Sequence, residues 1–153
     1  MRNPGIGALI LAAGLAVSIA GALRAQQSDF VVIVNAANPT NELTREQVER
    51  IFRKQDSTWK GWGDMQIEPV DLNDKSPVRE AFTRVIHGKT VSSIEKWWQR
   101  VVFSGRGLAP PKRDTDREVI NYVRDNKGGI GYISSSVRLA DSDGVKVLRV
   151  KEE

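Results

Sequence analysis

The sequence predicts an α/β protein with a mostly parallel sheet flanked by helices, and three observations carry that prediction. Short apolar runs, Phe30 to Val34 and Ile130 to Ile133, lack the polar alternation of a half-exposed strand and read as strands buried on both faces. Between them lie amphipathic stretches that open on a hydroxyl residue with an amide or carboxylate three positions later, Thr44 with Gln47 and Thr115 with Glu118. Strands alternating with capped helices are the α/β pattern. At 153 residues the chain suffices for one domain and is too short for two comfortable ones.

The first 25 or so residues stand apart. Arg2, the apolar run from Ile6 to Leu23 and the polar Gln26-Gln27-Ser28-Asp29 give the charged start, apolar middle and polar exit of a secretory signal. A retained membrane anchor is the alternative. Gly5, Gly7, Gly14 and Gly21 dilute the run, which is near the lower length limit for a span, and small residues at Ala20-Gly21-Ala22 and Ala25 suit cleavage. The expected organisation is therefore a signal peptide over residues 1–25 and one domain over 26–153, delivered to the periplasm. With no cysteine in the chain, disulfides, thiolate metal sites and a cysteine-linked lipid anchor are excluded. The formal charge of +4 comes from 23 basic and 19 acidic residues, and loss of Arg2 and Arg24 leaves 21 against 19. So even a balance, with the two signs dispersed, argues against nucleic acid as a partner.

In chain order, the strand at Phe30 to Val34 closes on Asn35 and a loop from Ala36 to Asn41. The helix opened by Thr44 has its apolar stripe at Leu43, Val48, Ile51 and Phe52 and stops near Lys54. Trp59 and Trp62 lie in a turn-rich segment and read as clamps to the core. A second strand runs from Ile67 to Leu72. His87 is the one histidine and reads as a helix-end residue, with Gly88 as the cap beyond it. Ser92 with Glu95 suggests a further capping box for a helix carrying Ile94, Trp97, Trp98, Val101 and Val102, a helix that wants burial on both faces. Next come the Ser104-Gly105-Arg106-Gly107 loop, the helix opened by Thr115, and the strand containing Gly131, where a second segment must come close. The alternating run Val145, Val147, Leu148 and Val150 has edge-strand character.

The stretch from Val70 to Phe82 is the candidate ligand site. Its strand ends in Asn73-Asp74-Lys75, Ser76 has an N-cap side chain, and Pro77 suits the first helical position. Unpartnered N–H groups and the positive end of the helix dipole then face the loop, with Arg79 one turn inside, an arrangement suited to an oxyanion. The same residues also make an ordinary capped connection. Arg106, between two glycines, is a second loop position able to present a guanidinium to an anion.

Taken in order, the segments Val32 to Pro39, Leu43 to Gln47, Ile51 to Lys54, Val70 to Phe82 and Gly128 to Tyr132 resemble one lobe of the phosphate-binding receptors of bacterial ABC transporters, the type 2 periplasmic binding protein fold. In that family the corresponding loop has an Asp-Gly-Ser-Gly-Thr core that holds phosphate. The resemblance puts Asp74 and Ser76 at the aspartate and serine, with Arg79 and Phe82 at residues that commonly follow. Lys75 and Pro77 replace the glycines, Val78 the threonine, and Leu72 sits where some members have arginine. The lost N–H and hydroxyl are each worth about 1.5–3 kcal/mol against a charged ligand.

The resemblance implies an exported solute-binding lobe for phosphate or a similar oxyanion, serving ABC-type uptake, with Asn73, Asp74, Ser76, Arg79 and Arg106 as site residues. No metal or cofactor is implied. Such receptors close two lobes on the ligand, so a second lobe, a second copy or the transporter membrane subunits are the expected partners. The other reading is an envelope accessory protein that keeps the fold without the ligand. An enzyme is disfavoured, because no nucleophile, base and orienting group can be named together.

Overall fold

The computed structural model describes residues 29–152, so the signal reading of residues 1–25 lies outside it. The strands are β1 (Phe30–Asn35), β2 (Glu42–Thr44), β3 (Glu68–Pro69), β4 (Asp71–Leu72), β5 (Lys112–Arg113), β6 (Gly129–Ser134) and β7 (Val145–Lys151). The helices are α1 (Arg45–Phe52), α2 (Pro77–Phe82), α3 (Val91–Phe103) and α4 (Asp116–Asp125), with a π-helical turn over Thr83–His87 continuing α2. Five strands form one sheet in the order β2-β7-β1-β6-β3, and β4 pairs with β5 beside it.

The α/β class is as the sequence predicts, but the sheet is mixed. β2 runs parallel to β7 and β3 to β6, whereas the central β1 is antiparallel to both its neighbours, with Ile33 opposite Gly131 on one side and Val147 on the other. Burial on both faces, whatever the strand direction, makes a strand continuously apolar, so the Phe30–Val34 run could not disclose which way it points. β7 is not an edge either, because the short β2 covers it. The expected strand from Ile67 to Leu72 is broken at Val70, whose N–H donates to Ile130 O at 2.9 Å, and its halves join different sheets.

Alternate residues of β6 show how the layers assemble. The position of Gly131 faces Val119 and Val123 of α4, while Tyr132, pointing the other way, stacks on Phe82 of α2 with ring centroids 3.8 Å apart. Phe30 and Phe52 meet the Phe82 ring edge-on, at 5.2 and 4.8 Å. Trp59 is buried in this core and its indole N–H donates to Gly128 O at 3.0 Å. Among the described residues the core cluster runs from Phe30 to Leu148.

Both capping boxes with a threonine form as predicted, at Thr44 with Gln47 and at Thr115 with Glu118. The box expected from Ser92 and Glu95 does not. Thr90 is the N-cap of α3, its Oγ1 accepting the Ser93 N–H at 3.2 Å, which leaves the Glu95 carboxylate for another use. Nor is α3 buried on both faces: Ile94 and Trp98 are buried, whereas Val102 and Phe103 are exposed.

Two predictions concern the fold. A Cβ at position 131 would lie 2.6 Å from Val119 Cγ1 and 2.9 Å from Val70 Cγ1, so Gly131→Val overpacks two branched side chains. It should cost about 1–3 kcal/mol and lower Tm by roughly 4–12 °C, and an unchanged melting curve would contradict this packing. His87 is buried at the end of the π turn, its Nδ1 without a hydrogen bond, and burial, then Arg53, Arg79 and Lys89, lower its pKa from 6.5 to about 4. The folded chain keeps it neutral while the unfolded chain protonates it below the ordinary value. Its stabilising effect is therefore complete above that value and is lost as pH falls through the window between the two. Relative to His87→Gln, the wild type should lose about 2 kcal/mol of urea-measured stability between about pH 7 and about pH 5. Parallel pH curves for the two proteins would overturn the assignment.

Candidate functional site

The loop between β4 and α2 is built by its own side chains. Asn73 Oδ1 accepts the Lys75 N–H at 3.0 Å and Asn73 O accepts the Ser76 N–H at 3.1 Å, a tight turn that sets Ser76 at the start of α2. Ser76 Oγ then accepts the Arg79 N–H at 3.3 Å, as an N-cap should. Pro77 has no N–H and Glu80 donates to Ser76 O. Among the described residues this leaves the Val78 N–H as the first-turn donor without a partner.

Arg79 is where sequence and structure part. Its side chain is 1 % exposed and its guanidinium points into the protein. Nη1 donates to Leu72 O at 2.6 Å and to Asp74 Oδ1 at 2.9 Å, and Nη2 donates to Glu95 Oε1 at 2.5 Å and lies 3.3 Å from Asp71 Oδ2. Lys112 Nζ closes a ring by donating to Asp74 Oδ1 at 2.6 Å and Glu95 Oε2 at 2.9 Å. Arg79, Asp74, Lys112 and Glu95 thus alternate in sign around a cycle that ties α2, its leading loop, β5 and α3 together. Counting Asp71, three carboxylates meet two cations, so this cluster does not attract an anion.

Burial drives the Asp71 pKa up, and Arg79, the Tyr132 hydroxyl that donates to it and the Leu72 N–H act against that rise. Burial and the Asp71 charge push Tyr132 well above the ordinary phenol value. Burial lowers the Lys112 pKa, but its bonds to Asp74 and Glu95 outweigh this and the net shift is upward. The tyrosine therefore remains a donor and the lysine a cation at neutral pH.

Of the predicted residues, Asp74 and Ser76 share one groove of about 580 Å³, also lined by Lys75, Glu80, Arg84, Lys89, Thr90 and Ser92. Asn73 shapes the loop beside it. Arg79 does not face the ligand mouth as expected; both of its terminal nitrogens meet carboxylates beneath the loop, and its buried Nε has no hydrogen-bond partner. Arg106 is on the separate loop after α3, bonded to Ser104 Oγ at 2.8 Å, and does not line the groove. Sequence reasoning missed Lys89, Thr90 and Ser92, because a strand-to-helix loop gives no sign that the start of α3 folds against it. It also missed Glu95 and Lys112, whose partnership with Arg79 crosses distant segments.

Residues 20–152 match the family described as the PBP superfamily domain. The chain belongs to that family. It is 26% identical over 132 residues to the phosphate-binding protein PstS of Staphylococcus aureus (strain USA300), covering 83% of this chain and 36% of that protein. Among solved structures, it matches at TM-score 0.61 and 25% identity a Clostridium perfringens protein described as a phosphate ABC transporter substrate-binding protein and solved with bound phosphate. It matches an ABC-type phosphate transport receptor from Vibrio cholerae at TM-score 0.59 and 25% identity. These matches cover 80% of this chain in each case, but 44% and 46% of the two structures. The chain thus spans about a third of the curated relative and less than half of each solved one, and its α/β fold is that of a single lobe.

The ring makes a direct prediction. Arg79→Gln leaves Asp71 buried without its cation and should destabilise the protein by about 3–5 kcal/mol in denaturant titration. Full stability in that variant would mean that the guanidinium is not the buried hub.

Proposed function

We propose that this chain is an exported solute-binding lobe that holds phosphate or a similar oxyanion in the groove between the starts of α2 and α3, in the service of ABC-type uptake. Residues 1–25 act in this reading as a cleaved signal that delivers it to the periplasm. The observation that carries the proposal is convergence: two capped helix starts, at Ser76 and Thr90, and the cations Lys75, Arg84 and Lys89 line one groove. Helix starts supply N–H donors and positive dipole ends, and the lysines supply charge without fixed geometry. Ser76 contributes its hydroxyl, and Asp74, anchored through Oδ1, keeps Oδ2 to accept a hydrogen bond from a protonated oxyanion. The relatives named above are named for phosphate binding and transport, not for a reaction, in keeping with the lack of a catalytic set in this sequence.

One lobe presents one wall of a cleft, so a second lobe, a second copy or a transporter subunit supplies the other. A second reading, an envelope accessory protein that keeps the fold without the ligand, is favoured by one observation. The buried Arg79 and the neighbouring Lys112 are neutralised by Asp71, Asp74 and Glu95.

Calorimetric titration of residues 26–153 with phosphate, sulfate and molybdate separates the two. The lone lobe should bind one of these with Kd of about 10 µM to 1 mM. Ser76→Gly should weaken binding about tenfold while costing only a few tenths of a kcal/mol in stability, since glycine is itself tolerated at an N-cap. Lys89→Gln should weaken it severalfold without changing Tm. No heat from any of the three anions at millimolar concentration in low salt sinks the oxyanion reading and leaves the accessory one.

A further inference from the structure

The far end of α3 carries a feature that the groove does not use. From Lys96 to Arg113 the sequence holds Lys96, Arg100, Arg106, Lys112 and Arg113 and no acidic residue, a local run hidden by the near-neutral balance of the whole chain. Lys112 is consumed by the ring and Arg113 lies over the Tyr122 ring at 5.0 Å, but Lys96, Arg100 and Arg106 form no ion pair among the described residues. Among these cations stand the two most exposed large apolar side chains of the described residues, Phe103 at 91% and Leu108 at 70%, together with Val102 at 43%.

This tip is folded. Ser104, Gly105 and Arg106 donate their N–H groups back to Arg100 O, Val102 O and Val101 O at 3.1, 3.0 and 3.1 Å, with Gly105 at φ 68 closing the turn. Ser104 Oγ also donates to Val101 O, and Arg106 Nε to Ser104 Oγ. The last turn of α3 is thereby closed on itself, with Phe103 outward.

We propose that this tip docks on an anionic phospholipid bilayer, with Phe103 and Leu108 inserted at the interface and Lys96, Arg100 and Arg106 on the lipid headgroups. The charge distribution selects that occupant. A second copy would bring two basic tips together, whereas an anionic bilayer offers negative charge at its surface and apolar volume just beneath, the order in which this tip presents its own groups. A projecting phenylalanine suits insertion into a soft medium better than a flat protein face, which must match its partner's shape. No helix among the described residues is long and apolar enough to cross a membrane, so the contact is interfacial.

The test is co-sedimentation of residues 26–153, which contain the core cluster of the described residues and omit the apolar N-terminal run, with vesicles. Equimolar phosphatidylcholine and phosphatidylglycerol vesicles should bind the protein in low salt, and pure phosphatidylcholine vesicles should not. Phe103→Ser should weaken binding about tenfold and Arg106→Gln about fivefold, each with an unchanged Tm because both side chains are exposed. Lys127→Gln, a cation on the loop between α4 and β6, should have little effect. No binding to the anionic vesicles overturns the proposal, as does an equal loss in Lys127→Gln, which would mean diffuse charge attraction. A dimer in solution that Phe103→Ser dissociates, in protein that ignores vesicles, would assign the tip to a second copy instead. None of these outcomes depends on the oxyanion groove.

Discussion

A buried guanidinium is the constraint on which this lobe is arranged. Arg79 is removed from water at a cost of several kcal/mol, which only close carboxylates and carbonyls can offset. The chain brings Asp71, Asp74, Glu95 and Leu72 O to it from three segments. Pairing the terminal nitrogens of Arg79 fixes the end of β4, the loop after it and the flank of α3, and Lys112 brings in β5. Removing a single partner leaves an uncompensated charge, so these elements are held in register together.

The same arrangement decides which charges can meet a ligand. Cations within the ring are already neutralised, so affinity for an anion must come from the rim, where Lys75 and Lys89 flank the helix starts. Such a rim is open to water and its attraction is screened by salt. A closing second wall would exclude that water and strengthen every contact at once. Relatives of which this chain covers less than half and a lobe with one groove wall are consistent parts of one physical picture.

The two ends of α3 are unlike. Its start is capped by Thr90 and lines the groove, its middle is fixed by Ile94 and Trp98, and its last turn leaves the protein surface with Phe103 outward. Amphipathic spacing alone suggested a helix buried all round, because Val101 and Val102 continue the apolar pattern. The core ends before they are reached.

The sequence by itself determined what is local. Capping at Thr44, Ser76 and Thr115 needs residues three positions apart, and the close approach at Gly131 needs a glycine within an apolar strand; both were legible and both are present. So was the lobe itself, through the order of its short motifs. Tertiary structure alone decided the direction of β1, the assignment of Glu95 to Arg79 rather than to a cap, and the inward turn of Arg79. Strand direction depends on connections rather than composition. Ion-pair choice depends on which carboxylates lie within about 4 Å once distant segments are packed. A local pattern fixes where a side chain starts from, and the packing of the other segments fixes which partner it finds.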